Sequence, residues 1–126
     1  ALENNKIVLC DRFVDSTLAY QGFGRGIDLD KIKKINEFVI DGLYPDLTFL
    51  LQLDVNSSFE RLNNRYSKSA KKFDRIENED KSFHKKIHDG YNEIYKSSKR
   101  IFKIDASLSV HTVENLIKNK ILELIC

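Results

Sequence analysis

The run Leu47-Thr48-Phe49-Leu50-Leu51-Gln52-Leu53, closed off by Pro45 before it and Asp54 after it, constrains the fold more than any other stretch. Seven residues is the length of a strand and is short of a stable helix. Its stretch Leu47 to Leu51, with Thr48 inside it, is the longest apolar run in the chain, far below the roughly 18 residues that a membrane span needs. Lys6-Ile7-Val8-Leu9-Cys10 reads as a short buried strand ended by Asp11-Arg12, and Arg100 to Ile104 as a third ended by Asp105-Ala106.

Helical patterns lie between these runs. Val14 to Gln21 makes a short helix stopped by Gly22, Gly24 and Gly26. Asp28 caps the next, where Leu29, Ile32, Ile35 and Val39 fall at spacings of three and four on one face, and Gly42 and Pro45 end it. Ser57 and Glu60 have capping-box spacing and open a helix carrying Arg61 and Arg65. Ser67 to Phe73 has no apolar period and is a loop. A longer helix from about Glu77 to Ser98 puts Phe83, Ile87, Tyr91 and Ile94 on one face. Ser109 caps a last helix whose buried face is Val113, Leu116, Ile117, Ile121 and Leu124. Strands alternating with helices imply an α/β domain, a parallel sheet with helices on its faces. No repeat or linker divides residues 1–126, so one domain is expected.

Composition excludes little. Hydrophobic residues are 41% and charged residues 32%, an ordinary soluble balance, and the opening ALENNK lacks a signal-peptide pattern. Two cysteines, Cys10 and Cys126, make no disulfide framework, which sets a reducing, cytoplasmic location as the default. Net charge is +2, but Arg61, Arg65, Lys68, Lys71, Lys72 and Arg75 stand against Asp74 alone, +5 within one stretch. Such a stretch is a solvated loop or one that meets phosphates. Nucleic-acid binding is the weaker reading, since Tyr66 and Phe73 are the only aromatics interleaved for stacking.

In open parallel sheets ligands collect at the carboxyl ends of the strands. Asp11-Arg12, Asp54 and Asp105 all fall there. Asp54 and Asp105 also read simply as caps of the loops that follow. An adjacent acid and guanidinium can hold a metal-bound water and a phosphate, respectively. His84 and His88 are four apart on a helix, but no third ligand of the right kind is fixed nearby. Gly22, Gly24 and Gly26 are not followed by Gly-Lys-Ser/Thr, so they read as a flexible turn between helices and not as a phosphate loop.

The sixteen positions from Asp11 to Gly26, DRFVDSTLAYQGFGRG, closely resemble the signature of bacterial-type thymidylate kinases, which begins Asp-Arg-aromatic and runs on to Ala-Tyr-Gln-Gly. The resemblance continues through Leu53-Asp54-Val55, Asp74-Arg75-Ile76-Glu77, Phe83-His84, Gly90-Tyr91 and Asp105-Ala106, and covers essentially the whole chain. It implies a P-loop NTPase-type parallel sheet with flanking helices, like that of nucleoside monophosphate kinases, and phosphoryl transfer from ATP to dTMP with Mg²⁺. Arg12 would bind the dTMP phosphate and Asp11 would help hold Mg²⁺. Ser16, Thr17 and Gln21 would read the thymine edge, and Tyr20 would pack under the sugar and exclude a 2′-hydroxyl. Residues 61–76 would form an ATP lid, with Arg61, Arg65, Lys68 and Arg75 on the nucleotide and Arg12, Arg65 and Arg75 as catalytic arginines. Asp105 and Ala106 would line the adenine pocket. The helix from Leu29 to Val39 would serve a homodimer.

No Walker A sequence occurs in these 126 residues. In the resembled family it precedes the strand that here begins near Lys6, on a central strand between those expected at Ile7–Cys10 and Leu47–Leu53. The expectation is therefore a sheet lacking its middle strand, with exposed backbone on two others, and a chain that is inactive alone and part of a longer enzyme. A related nucleotide kinase with another substrate, or a non-catalytic nucleotide- or partner-binding remnant, stays open beside it.

Overall fold

The computed structural model describes residues 1–67 and 80–125, with 62, 63 and 65–67 taken as helical backbone only. After a 3₁₀ turn at Leu2–Asn4 come α1 (Val14–Thr17), a π-helical continuation over Leu18–Gly24, and α2 (Leu29–Ile40). Then follow β1 (Thr48–Gln52), α3 (Val55–Ser67), α4 (Lys81–Ser97), β2 (Ile101–Asp105) and α5 (Val110–Ile125). β1 and β2 pair in parallel, Thr48 opposite Ile101 through Gln52 opposite Asp105, and the Ala106 N–H extends the ladder to the Gln52 carbonyl at 2.9 Å.

Parallel strands joined through helices are the predicted α/β arrangement, and the elements form largely where the periodicity places them. Asp28 caps α2 by accepting from the Lys31 N–H at 2.9 Å, and Asp41 in the left-handed region followed by Gly42 at φ 76 ends it. Asp80 caps α4 through the Phe83 N–H at 2.8 Å. Ser109 caps α5 through the Thr112 N–H at 3.1 Å. The helix expected from Glu77 begins at Lys81, and residues 77–79 lie outside the described ones, as does most of the loop expected at Ser67 to Phe73.

Four expectations need correction. Lys6 to Cys10 is not a strand: the segment takes no regular structure, has no sheet partner among the described residues, and leaves Ile7, Val8 and Leu9 exposed. An apolar run becomes a strand only where a neighbour satisfies its backbone groups, and among the described residues β1 and β2 pair only with each other. Gly22 and Gly24 do not stop the helix begun at Val14 but lie buried inside its π-helical part. A Cβ on Gly24 would fall 2.8 Å from the Phe83 ring, so the missing side chain is what lets this helix close on α4. Ser57 is not the cap of α3. Asp54 accepts from the Ser57 N–H at 3.0 Å and starts the helix three residues earlier. Finally, the stripe on α5 is not buried: Leu116 and Leu124 are exposed, because a two-stranded ribbon is too narrow to cover a sixteen-residue helix.

The core sits where α4 meets the helical segment at 18–24. Ala19, Phe83, Ile87, Ile94 and Ile101 form it, with Leu18, Tyr20, Phe23, Leu50 and Tyr91 packed around them. α4 therefore fixes the segment that carries most of the candidate site. Among the described residues no helix is long and apolar enough to cross a membrane.

Candidate functional site

Arg12 enters the segment with φ 65, a left-handed conformation uncommon for a residue with a side chain. The exposed side chain folds back two turns along the helix, and its guanidinium carbon lies 4.4 Å from the centre of the Tyr20 ring. A cation over the face of a tyrosine ring is attracted by its π-electrons, and a guanidinium carries a fork of N–H donors suited to phosphate or carboxylate. Tyr20 in turn meets Phe83 edge to face, with centroids 6.3 Å apart. The ring that supports Arg12 is thus held by α4.

Ser16 Oγ and Tyr91 Oη are 2.9 Å apart. Burial pushes the Tyr91 phenol above its ordinary pKa, and the charges of Tyr20, Arg12 and Asp15 all bear on it. Tyr91 accordingly stays protonated at neutral pH and can donate. Arg12, Ser16, Tyr20 and Tyr91 form one cluster. Thr17 is exposed and Gln21 half-buried on the same short helical segment.

The first turn of this segment is fastened from two sides. Asn36 Nδ2 of α2 donates to the Val14 carbonyl at 3.3 Å. Arg100 donates to both carboxylate oxygens of Asp15, at 2.7 and 2.8 Å, and to Thr48 Oγ1 at 2.6 Å. Their side chains are 20% and 11% exposed, so breaking the pair would strand a largely buried charge.

A second group stands at the carboxyl ends of β1 and β2. Asp54 accepts from Ser57 and Asp105 from the Ser107 N–H at 2.8 Å. Hydrogen bonds from Ser57 hold the Asp54 carboxyl below the ordinary aspartate range, and those from Ser107 do the same for Asp105. Both act as loop and helix caps, and Ala106 is half-buried beside them. Arg61 is exposed on α3 and Arg65 lies on the same helix, whereas Lys68, Lys71, Lys72 and Arg75 lie outside the described residues.

Among the described residues no three His, Cys, Asp or Glu side chains gather to hold a metal. Mg²⁺ commonly takes one or two protein carboxylates and completes its shell with phosphate oxygens and water. The exposed carboxylate of Asp11, next to Arg12, suits the protein's share of such a shell.

The helix periodicity marked Tyr91 only as part of an apolar stripe and gave no hint of its hydroxyl contact. The Asp15–Arg100–Thr48 cluster had no local signal, its members being 85 and 52 residues apart in sequence.

Fold and site together define an α/β protein whose Arg12, Ser16, Tyr20 and Tyr91 converge on one helix pair beside a parallel sheet. The thymidylate kinase family model matches residues 1–117. A thymidylate kinase of Halothermothrix orenii is 44% identical over 121 residues, covering 96% of this chain and 57% of that protein. Those of Trichodesmium erythraeum and Staphylococcus haemolyticus are each 43% identical, over 97% and 91% of this chain and 52% and 55% of theirs. The chain belongs to the thymidylate kinase family, whose fold is of the P-loop NTPase type. It spans about half the length of the curated relatives it matches.

Proposed function

We propose that this chain carries the dTMP-binding and lid portions of a cytoplasmic dTMP kinase, which transfers the γ-phosphoryl group of ATP to dTMP and yields dTDP and ADP. The observation that carries the reading is the Arg12 guanidinium lying 4.4 Å over the Tyr20 ring beside the Ser16–Tyr91 hydroxyl pair. A monophosphate needs a forked donor for its oxygens, and a deoxynucleoside needs a flat wall under its sugar and hydrogen-bonding groups at its base.

In this reading Arg12 binds the dTMP phosphate and neutralises charge as transfer proceeds. Tyr20 walls the sugar where a 2′-hydroxyl would clash, and Ser16, Thr17 and Gln21 address the thymine edge. Asp11 would help hold Mg²⁺, which when bound would supply charge neutralisation on the phosphates. Arg61, Arg65, Lys68 and Arg75 belong to the lid over ATP, residues 61–76, with Arg65 and Arg75 beside Arg12 as the catalytic arginines. Asp105 and Ala106 line the adenine pocket. Phosphoryl transfer depends mainly on positioning and on neutralising spread charge, which is the part that several arginines would play. The phosphate loop and its central strand lie outside these 126 residues, so the working enzyme is longer than this chain. The exposed Ile35, Phe38 and Val39 of α2 support a homodimer through that helix.

The test is ATP-dependent conversion of dTMP to dTDP by the full-length protein as its gene encodes it, run beside dUMP and dCMP. Preference for dTMP is expected. Turnover of another nucleotide in its place overturns the substrate assignment, and binding of nucleotide without any turnover overturns the kinase.

A further inference from the structure

The bidentate pair between Asp15 and Arg100 is not used by any step above, yet it sits one residue from Ser16 and at the root of the Arg12–Tyr20 stack. Three observations bear on its purpose. The segment begins badly: Arg12 is left-handed, and Phe13, at the N-cap position of α1, makes no side-chain capping bond. A four-residue helix with a strained entrance and no cap has little of its own to fix its first turn. Next, Arg100 is anchored to the start of the sheet. Its carbonyl accepts from the Thr48 N–H at 2.9 Å while its guanidinium reaches Thr48 Oγ1 at 2.6 Å. Last, a mostly buried ion pair is a weak source of net stability compared with apolar packing, and its best-attested use is to fix register.

We propose that Arg100, acting through Asp15, is a positioning residue that sets the rotation and height of the substrate-reading helical segment against the sheet. The proposal rests on the dTMP kinase reading. Both carboxylate oxygens are held by one planar fork, so Asp15 can neither swivel nor slide. Ala19, Gly22 and Gly24 seat the far end of the segment in the core, and two fixed points determine where Ser16 and Tyr20 stand. Releasing the first point lets Ser16 leave Tyr91 and Arg12 leave the Tyr20 face. Asp105 and Ala106 keep their places through the β1–β2 ladder. The defect should fall on dTMP and spare ATP.

The experiment uses the full-length protein with Arg100→Met and Arg100→Lys, and reads KM for dTMP, KM for ATP and the thermal midpoint. Arg100→Met should raise KM for dTMP by roughly 10- to 100-fold, the scale of a small misplacement at a reacting centre. KM for ATP should stay within about twofold. Arg100→Lys should be intermediate, because an ammonium is a point charge and cannot grip both oxygens. If the midpoint falls while the two KM values move together, the pair is structural only and the proposal is overturned. Should Arg100→Met not fold, Thr48→Val removes one anchor and leaves the ion pair, and an unchanged KM for dTMP in both Thr48→Val and Arg100→Lys is the overturning result. Absence of dTMP turnover in the unsubstituted protein overturns the kinase reading instead. The clamp is then judged by amide hydrogen exchange over residues 14–24, which must lose protection in Arg100→Lys for it to stand.

Discussion

Gly90 lies in the middle of α4, where a glycine ordinarily weakens a helix, and replacing it with alanine separates two opposing effects. On an exposed helix Gly→Ala gains about 1 kcal/mol from propensity. Here the added Cβ would lie 2.6 Å from both Cβ and Cγ of Phe23 and 2.8 Å from Cδ2. Overpacking typically costs about 1–3 kcal/mol. The upper half of that range applies, because the atoms struck are at the root of the Phe23 side chain and the helical segment itself must move. The net expectation is a loss of about 1–2 kcal/mol. With a urea slope of about 1–3 kcal/mol per molar, the unfolding midpoint of the full-length protein should drop by roughly 0.3–2 M with an unchanged slope. The displaced segment carries Ser16 and Tyr20, so KM for dTMP should rise in the same variant. A midpoint that rises would refute the reasoning, since it would mean that the helix pair does not close on Gly90.

Arg12→Gly should leave stability nearly unchanged while impairing function. Relief of the left-handed residue is worth about 1–2 kcal/mol, against which glycine's extra chain entropy takes back about 0.5–1 and the lost contact with Tyr20 another 0.5–1, so the net change should stay within about 1 kcal/mol either way. Turnover of dTMP should fall roughly 100-fold or more, measured by denaturation and steady-state kinetics on the same preparation. Asp80, held below the ordinary aspartate range by the Ser82 hydroxyl and the Phe83 N–H, binds fewer protons folded than unfolded. Its contribution is therefore complete above about pH 4 and is lost as pH falls through the folded value. Asp80→Asn should lower the melting midpoint at neutral pH, and the gap from the unsubstituted protein should close in acid. Phe38→Asp, at an 88% exposed position on α2, should give monomers in sedimentation with an intact subunit fold. Dimers that persist would move the interface elsewhere.

Local chemistry made much of the fold legible. The α2 stripe with Asp28 before it, the short apolar runs ended by Asp54 and Asp105 that placed β1 and β2, and the α4 face of Phe83, Ile87 and Ile94 all follow from signals within one element. The failures are of another kind. Whether Ile7 to Leu9 pairs depends on a neighbouring strand that no local pattern supplies. The burial of Gly22 and Gly24 depends on side chains of α2 and α4. Asp54 outcompetes Ser57 as a cap because both suit the role and only the backbone geometry decides. Within the site, the residues from Asp11 to Gln21 stood out as a contiguous segment. Arg100 and the hydroxyl of Tyr91 reach it only through the packing of α4 and the sheet.

The most direct measurement is an NMR titration of the full-length protein with dTMP, following the resonances of Arg12, Ser16, Thr17, Tyr20, Gln21 and Tyr91. The account predicts saturable shifts concentrated on these residues, with dCMP producing weaker ones. Shifts that centre instead on the apolar groove of α5, around Val113, Ile117 and Ile121, or that do not discriminate dTMP from dCMP, would contradict it.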